Sequence, residues 1–208
     1  IDLLSKVRLE EIKNYLSSSS HPVMLTLRSL SQGGLFKGST LEKESLIENL
    51  LSLSPPFLDL EYDMDSAFLE KVFSSYPNTK IILSYHNFER VPDDIEAIFS
   101  SMQKYDAFTY KIAVKTSSCL EALKMALFAK SHPKASVICM GEQGSFLRVL
   151  GPIIGNLVHY TYADLEKQVA PGQIPLEELL HTYHFDRLNS KTAIYGLIGD
   201  PVDKSVGA

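Results

Sequence analysis

Short runs of β-branched and aromatic residues recur along the chain between longer segments of helical period, an alternation that predicts βα units and a parallel sheet. Six such runs stand out: Val23 to Leu27, Phe57 to Tyr62, Lys80 to Ser84, Ala107 to Val114, Ser136 to Met140 and Leu157 to Thr161. Most are nearly apolar throughout, as strands covered on both faces should be. Between them, Ser39 and Glu42 form a capping box ahead of Leu46, Ile47, Leu50 and Leu51, which predicts a helix over 40–52 that stops before Pro55 and Pro56. Pro92 followed by two aspartates marks a second helix start, with Ile95, Ile98, Phe99 and Met102 on its buried side. The stretch from Ser118 to Lys130 is expected to bury Leu120, Leu123, Met125 and Leu127. Pro175 to Tyr183 reads as a further helix, and Phe185 to Thr192 as a polar linker.

Composition narrows the class. The 208 residues are 45% hydrophobic and 22% charged, with a formal net charge of −5, the profile of one soluble globular domain. The acidic balance contains no Lys/Arg run, so neither nucleic acid nor an anionic membrane is an expected partner, and no apolar stretch approaches the roughly 18 residues of a bilayer span. Cys119 and Cys139 make no CxxC pair, which indicates neither a zinc site nor a disulfide framework and fits a reducing cytoplasm.

The ends of the predicted strands carry the chemistry, because parallel α/β barrels place their active sites there. Arg28 follows the first run and leads into Gln32-Gly33-Gly34; Asp59 and Glu61 close the second; His86 closes the third; Lys111 lies in the fourth. One strand-end charge means little, and Lys111 alone would read as a lysine snorkelling to solvent, His86 alone as a satisfied core histidine. Five ionisable groups on four successive apolar runs point to one reactive rim.

With these residues in place, the sequence resembles type I 3-dehydroquinate dehydratase, a lysine Schiff-base enzyme of the shikimate pathway. The matching segments are Leu27-Arg28-Ser29 with Gly33-Gly34, Asp59-Leu60-Glu61, Ser84-Tyr85-His86-Asn87-Phe88, Lys111-Ile112-Ala113, Met140-Gly141-Glu142-Gln143-Gly144 with Arg148, and Ala170-Pro171-Gly172-Gln173. The resemblance implies an eight-stranded (β/α)8 TIM barrel of which about six strands lie in this chain. The family's first two strands and a Glu-x-Arg signature would precede Ile1-Asp2. An open sheet exposes strand edges, so a destabilised fragment or an association such as a homodimer is expected. The tail from Tyr195 to Val202 with Ser205 is similar to the opening of shikimate dehydrogenase. This places a dehydratase barrel over 1–187, a linker and the start of a fused shikimate dehydrogenase over 188–208, and a dehydrogenase partner in the full-length chain. The tail has no GxGxxG pattern, so no NADP, and no other cofactor or metal, is expected for this segment.

The resemblance further assigns Lys111 as the amine that captures the ketone of 3-dehydroquinate and His86 as the proton shuttle. Arg148 and Gln173 would clamp the substrate carboxylate and hydroxyls, and Arg28 would bind a hydroxyl or depress the lysine pKa, with a salt bridge to Asp59 or Glu61 as its competing role. Where the family pairs a carboxylate with the histidine, this chain has Gln32, from which a lower histidine pKa and a looser imidazole are expected, with Asp59 or Glu61 as substitutes. Leu147 and Val169 replace family serines near the lid, which implies weaker substrate binding. Two other readings stay open: an aldolase using the same imine chemistry, and a catalytically impaired barrel acting as scaffold for the dehydrogenase.

Overall fold

A computed structural model describes residues 8–163 and 172–196 of the chain. Helix α1 (Leu9–Ser18) precedes five strands: β1 (Met24–Thr26), β2 (Phe57–Glu61), β3 (Lys80–Asn87), β4 (Thr109–Lys115) and β5 (Ala135–Met140). Helices α2 (Thr40–Ser52), α3 (Ser66–Ser75), α4 (Ile95–Met102) and α5 (Cys119–Ser131) connect them in turn, and α6 (Phe146–Ile154) and α7 (Leu176–His181) follow. The strands lie in chain order and every pair is parallel. Each strand is thus followed by a crossover helix, the pattern of successive units in a barrel.

Local chemistry sets the boundaries. Ser39 accepts from the Glu42 amide while the Glu42 carboxylate accepts from the Ser39 amide, so the expected capping box starts α2. Asp65 caps α3 through the amides of Ala67 and Phe68, and Ser118 caps α5 through that of Glu121. The core lies between sheet and helices, where Leu50, Leu58, Leu83, Phe99, Met102 and Ile112 are at most 1% exposed.

The structure corrects two expectations. Leu157 to Thr161 forms no strand. Asn156 donates to the Val137 carbonyl at 2.8 Å and accepts from its amide at 3.0 Å, and Ser136 Oγ takes the Leu157 amide at 2.9 Å. Side chains therefore occupy the edge of β5 that a sixth strand would pair with, and beyond them a parallel bridge joins Tyr162 to Pro175. On α5, Leu120, Leu123 and Leu127 face outward, whereas Ala122, Met125, Ala126, Phe128 and Ala129 are buried. The helix is apolar on nearly every side, and its small residues allow the closer approach to the sheet. Ile1 to Val7, the expected Val169 and Pro171 positions, and the tail from 197 onward lie outside the described residues.

Candidate active site

The register aligns the reactive side chains across three strands. Ser84 on β3 stands beside both Glu61 on β2 and Lys111 on β4, and His86, two residues further along the same face, stands beside Ala113. Lys111 is 2% exposed, and its Nζ donates to Asp59 Oδ2 at 2.8 Å. Arg28 donates to the same oxygen at 2.9 Å, the Tyr160 hydroxyl at 3.3 Å, and Ser84 Oγ donates to Oδ1 at 2.7 Å. The Tyr160 ring also lies under the ammonium, 4.1 Å from its centroid.

These contacts set the charge states. Burial is the largest influence on Lys111 and lowers its pKa; Arg28 acts in the same sense, Asp59 opposes both, and the result is about 8. Burial works to raise the Asp59 pKa, but Lys111 and Arg28, with hydrogen bonds from Lys111 and Ser84, outweigh it and hold the carboxyl well below its usual range. For His86, burial followed by the charges of Lys111 and Arg28 brings the pKa down to about 2, so the imidazole is neutral.

Gln32, in the short turn Leu30–Gln32 after β1, holds His86 twice: its Oε1 accepts from the His86 backbone amide and from Nδ1, each at 3.0 Å. Its Nε2 donates to Asp63 Oδ2 at 2.7 Å. The histidine pKa is low as expected, but through burial and the charges of Lys111 and Arg28 rather than through Gln32, and the expected looseness is not found: Gln32 is 5% exposed and bonded at both ends of its amide. Phe88 stacks on His86 with the ring planes 10° apart, and Gly33 makes room for it. Gly33 has φ +78°, and a Cβ there would sit 2.2 Å from Phe88 Cζ.

A cavity of about 140 Å³ opens above this network, lined by Arg28, His86, Phe88, Lys111, Tyr160, Arg148 and Gln173. Arg148 is delivered by the first turn of α6 and Gln173 by the segment before α7. A larger cleft of about 360 Å³ lies at Ser29, Lys43, Glu61 and Asp63, but its buried charges, Lys43 and Glu61, neutralise each other. Glu61 also accepts from the Ser29 amide and hydroxyl, both at 2.7 Å. The expectation that Glu61 could replace the family carboxylate beside His86 is therefore corrected: its oxygens are committed to anchoring α2 and the loop after β1 to β2. Leu147, 2% exposed, packs in the core. Among the described residues, no three His, Cys, Asp or Glu side chains gather as a metal site would need, and no helix is long and apolar enough to cross a membrane.

Comparison with known proteins decides the family. Residues 1–190 match the model for type I 3-dehydroquinase. The chain belongs to the type I 3-dehydroquinase family. It is 36% identical over 207 residues to the shikimate biosynthesis protein AroDE of Chlamydia pneumoniae, covering 99% of this chain and 42% of that protein. It is 28% identical over 201 residues to the chloroplastic bifunctional 3-dehydroquinate dehydratase/shikimate dehydrogenase of Arabidopsis thaliana, covering 95% of this chain and 33% of the relative. The chain thus spans less than half the length of these two relatives. The crystal structure of 3-dehydroquinate dehydratase from Aquifex aeolicus superposes with a TM-score of 0.77 at 30% identity, over 90% of this chain and 86% of that one. The five parallel strands and their helices are therefore part of a type I 3-dehydroquinase TIM barrel.

In this type I 3-dehydroquinase chain, six of the sequence-derived candidates meet at one place: Lys111, His86, Arg28, Asp59, Arg148 and Gln173. Gln32 stands directly behind the histidine. Sequence reasoning missed Tyr160 and Asp63. A phenol in the last apolar run was a weak signal for Tyr160. Asp63 carried none, since it lies beyond the end of β2 in a loop rich in acidic residues.

Proposed function

We propose that this chain dehydrates 3-dehydroquinate to 3-dehydroshikimate through a Schiff base on Lys111, with His86 as general acid and base. The observation that carries the reading is a fully buried amine whose pKa falls to about 8, opening on the same cavity as a neutral imidazole. At pH 7 such an amine is about one-tenth unprotonated, against roughly three parts in ten thousand for an ordinary lysine.

The unprotonated amine attacks the ketone carbon, and His86 Nε2, which has no hydrogen-bond partner, carries the proton released from nitrogen to the departing hydroxyl. With one further proton, taken from solvent and returned when the final iminium is hydrolysed, the carbinolamine loses water and becomes an iminium. Nε2 then removes a proton from the carbon next to the iminium, whose nitrogen takes the electron pair as an enamine. Return of that pair expels the β-hydroxyl, protonated by the imidazolium, and water hydrolyses the new iminium to free Lys111. The balance is one substrate giving one product and one water. Asp59 stays ionised throughout and holds the cationic nitrogen in place, while Arg148 and Gln173 supply a fork and an amide for the substrate carboxylate and hydroxyls. The family and the names of the relatives support this substrate and a position in the shikimate pathway. Their length, together with the dehydrogenase-like segment from Tyr195, supports a shikimate dehydrogenase on the same polypeptide.

Borohydride reduction in the presence of 3-dehydroquinate tests the chemistry. Reduction of the iminium leaves a secondary amine, so the expected result is a mass increase located at Lys111. Turnover without an adduct at Lys111 refutes the Schiff-base route; an adduct formed only with aldol substrates assigns the aldolase reading, and neither turnover nor adduct the scaffold reading.

A further inference from the structure

We infer that Asp63 is a positioning residue that acts through Gln32 to fix which nitrogen of His86 is the base. The inference rests on the proposed role of His86 and deepens it. The Gln32 amide is held from both ends. Its Oε1 accepts the His86 backbone N–H at 3.0 Å, a contact that only the oxygen end can make, and its Nε2 meets the Asp63 carboxylate at 2.7 Å, a contact that only the nitrogen end can make. Turning the amide over would set N–H against N–H on one side and oxygen against carboxylate on the other. Gln32 Oε1 is also 3.0 Å from His86 Nδ1 and has no hydrogen to give, so Nδ1 must be the protonated nitrogen. The lone pair is left on Nε2, the ring nitrogen with no hydrogen-bond partner, on a side chain that lines the same cavity as Lys111. Asp63 is exposed and the imidazole buried, so a carboxylate outside the cavity sets the tautomer inside it without touching substrate.

The arrangement also explains why an uncharged residue sits at position 32. A carboxylate there would stand against Asp63 at the present Gln32 contact and be repelled by it, so the two positions are coupled.

The test compares variants of the full-length protein, reading kcat, KM and the imidazole ¹⁵N shifts of His86. Asp63→Ala is expected to lower kcat about tenfold with KM within about twofold, and to convert a spectrum of one tautomer into a mixture. Asp63→Asn, which keeps an acceptor oxygen for Gln32 Nε2, is expected to return kcat to within about threefold of wild type and to restore the single tautomer. Gln32→Glu is expected to cost more in the wild-type background than when combined with Asp63→Asn. A His86 signature unmoved by Asp63→Ala overturns the inference whatever the rate does, as does a Gln32→Glu effect that is the same with and without Asp63→Asn. Wild-type protein that neither turns over 3-dehydroquinate nor traps it on Lys111 removes the basis of the inference, and this result is distinguishable because the tautomer spectra need no activity.

Discussion

Lys111 Nζ and Asp59 Oδ2 lie 2.8 Å apart with both side chains at most 3% exposed, and Arg28 shares the same carboxylate oxygen. One anion thus serves two cations. Lys111 receives only part of the stabilisation that an isolated ion pair would give its charged form, and burial prevails.

The pH profile follows from this balance. The amine must be unprotonated to attack, so kcat/KM is expected to climb about tenfold per pH unit at low pH and to level off near pH 8, the value at which Lys111 loses its proton. A profile with its acid limb near pH 10 would show that the amine titrates as an ordinary lysine.

Stability has its own pH dependence. The folded-state pKa of His86, about 2, lies below its ordinary 6.5, so below pH 6.5 the unfolded chain binds a proton that the folded chain does not. Stability is therefore expected to fall as pH drops from 6.5. Asp59, also depressed, adds to the loss once the pH passes below the ordinary carboxylate value of 3.8. Urea midpoints at pH 7, 6, 5 and 4 check the trend, and His86→Ala is expected to flatten it between pH 6.5 and 4.

The two central groups separate by substitution. Lys111→Ala is expected to abolish turnover and adduct formation while leaving the fold, because Asp59 keeps its bonds to Arg28, Ser84 and Tyr160. His86→Ala is expected to slow turnover by about 10²- to 10⁴-fold and still permit some trapping on Lys111. Turnover kinetics and peptide mass spectrometry read both outcomes.

Tyr160 tests how far dryness controls the amine. Tyr160→Phe keeps the ring at the ammonium and loses the 3.3 Å bond to Asp59 and a weak 3.7 Å bond to Met24 Sδ, so a change in kcat of no more than about threefold is expected. Tyr160→Ala admits water to Lys111 and is expected to move the acid limb upward by about one pH unit, toward an ordinary lysine. Equal profiles for the two variants would assign the low pKa to Arg28 rather than to exclusion of water.

Gly33→Ala probes the wall behind the histidine. The new methyl would occupy the place of the Phe88 ring tip at a backbone φ of +78°. A stability loss of about 1–2 kcal/mol and a lowered kcat are expected, from displacement of the ring that stacks on His86. Thermal melts alongside kinetics separate the two effects.

The one-dimensional pattern determined the strand–helix alternation, the capping box at Ser39, and the placement of Arg28, Asp59, His86 and Lys111 in or just after four successive apolar runs, although Asp59 and Lys111 lie within their strands rather than at the ends. These are local or periodic properties: a capping box spans four residues, and a strand end is where an apolar run stops. Tertiary structure decided the rest. Leu157 to Thr161 has strand-like composition, yet the edge it would pair with is filled by the side chains of Asn156 and Ser136. The outward turn of Leu120, Leu123 and Leu127 depended on which side of an apolar helix packs more closely on the sheet. Asp59 and Glu61, two residues apart and alike in sequence, acquired different roles because Lys43 of α2 reached Glu61 while Lys111 of β4 and Arg28 reached Asp59. The link from Asp63 through Gln32 to His86 joins residues 31 and 54 positions apart, a distance over which no local pattern carries information, so only the folded chain brings them into one hydrogen-bonded line.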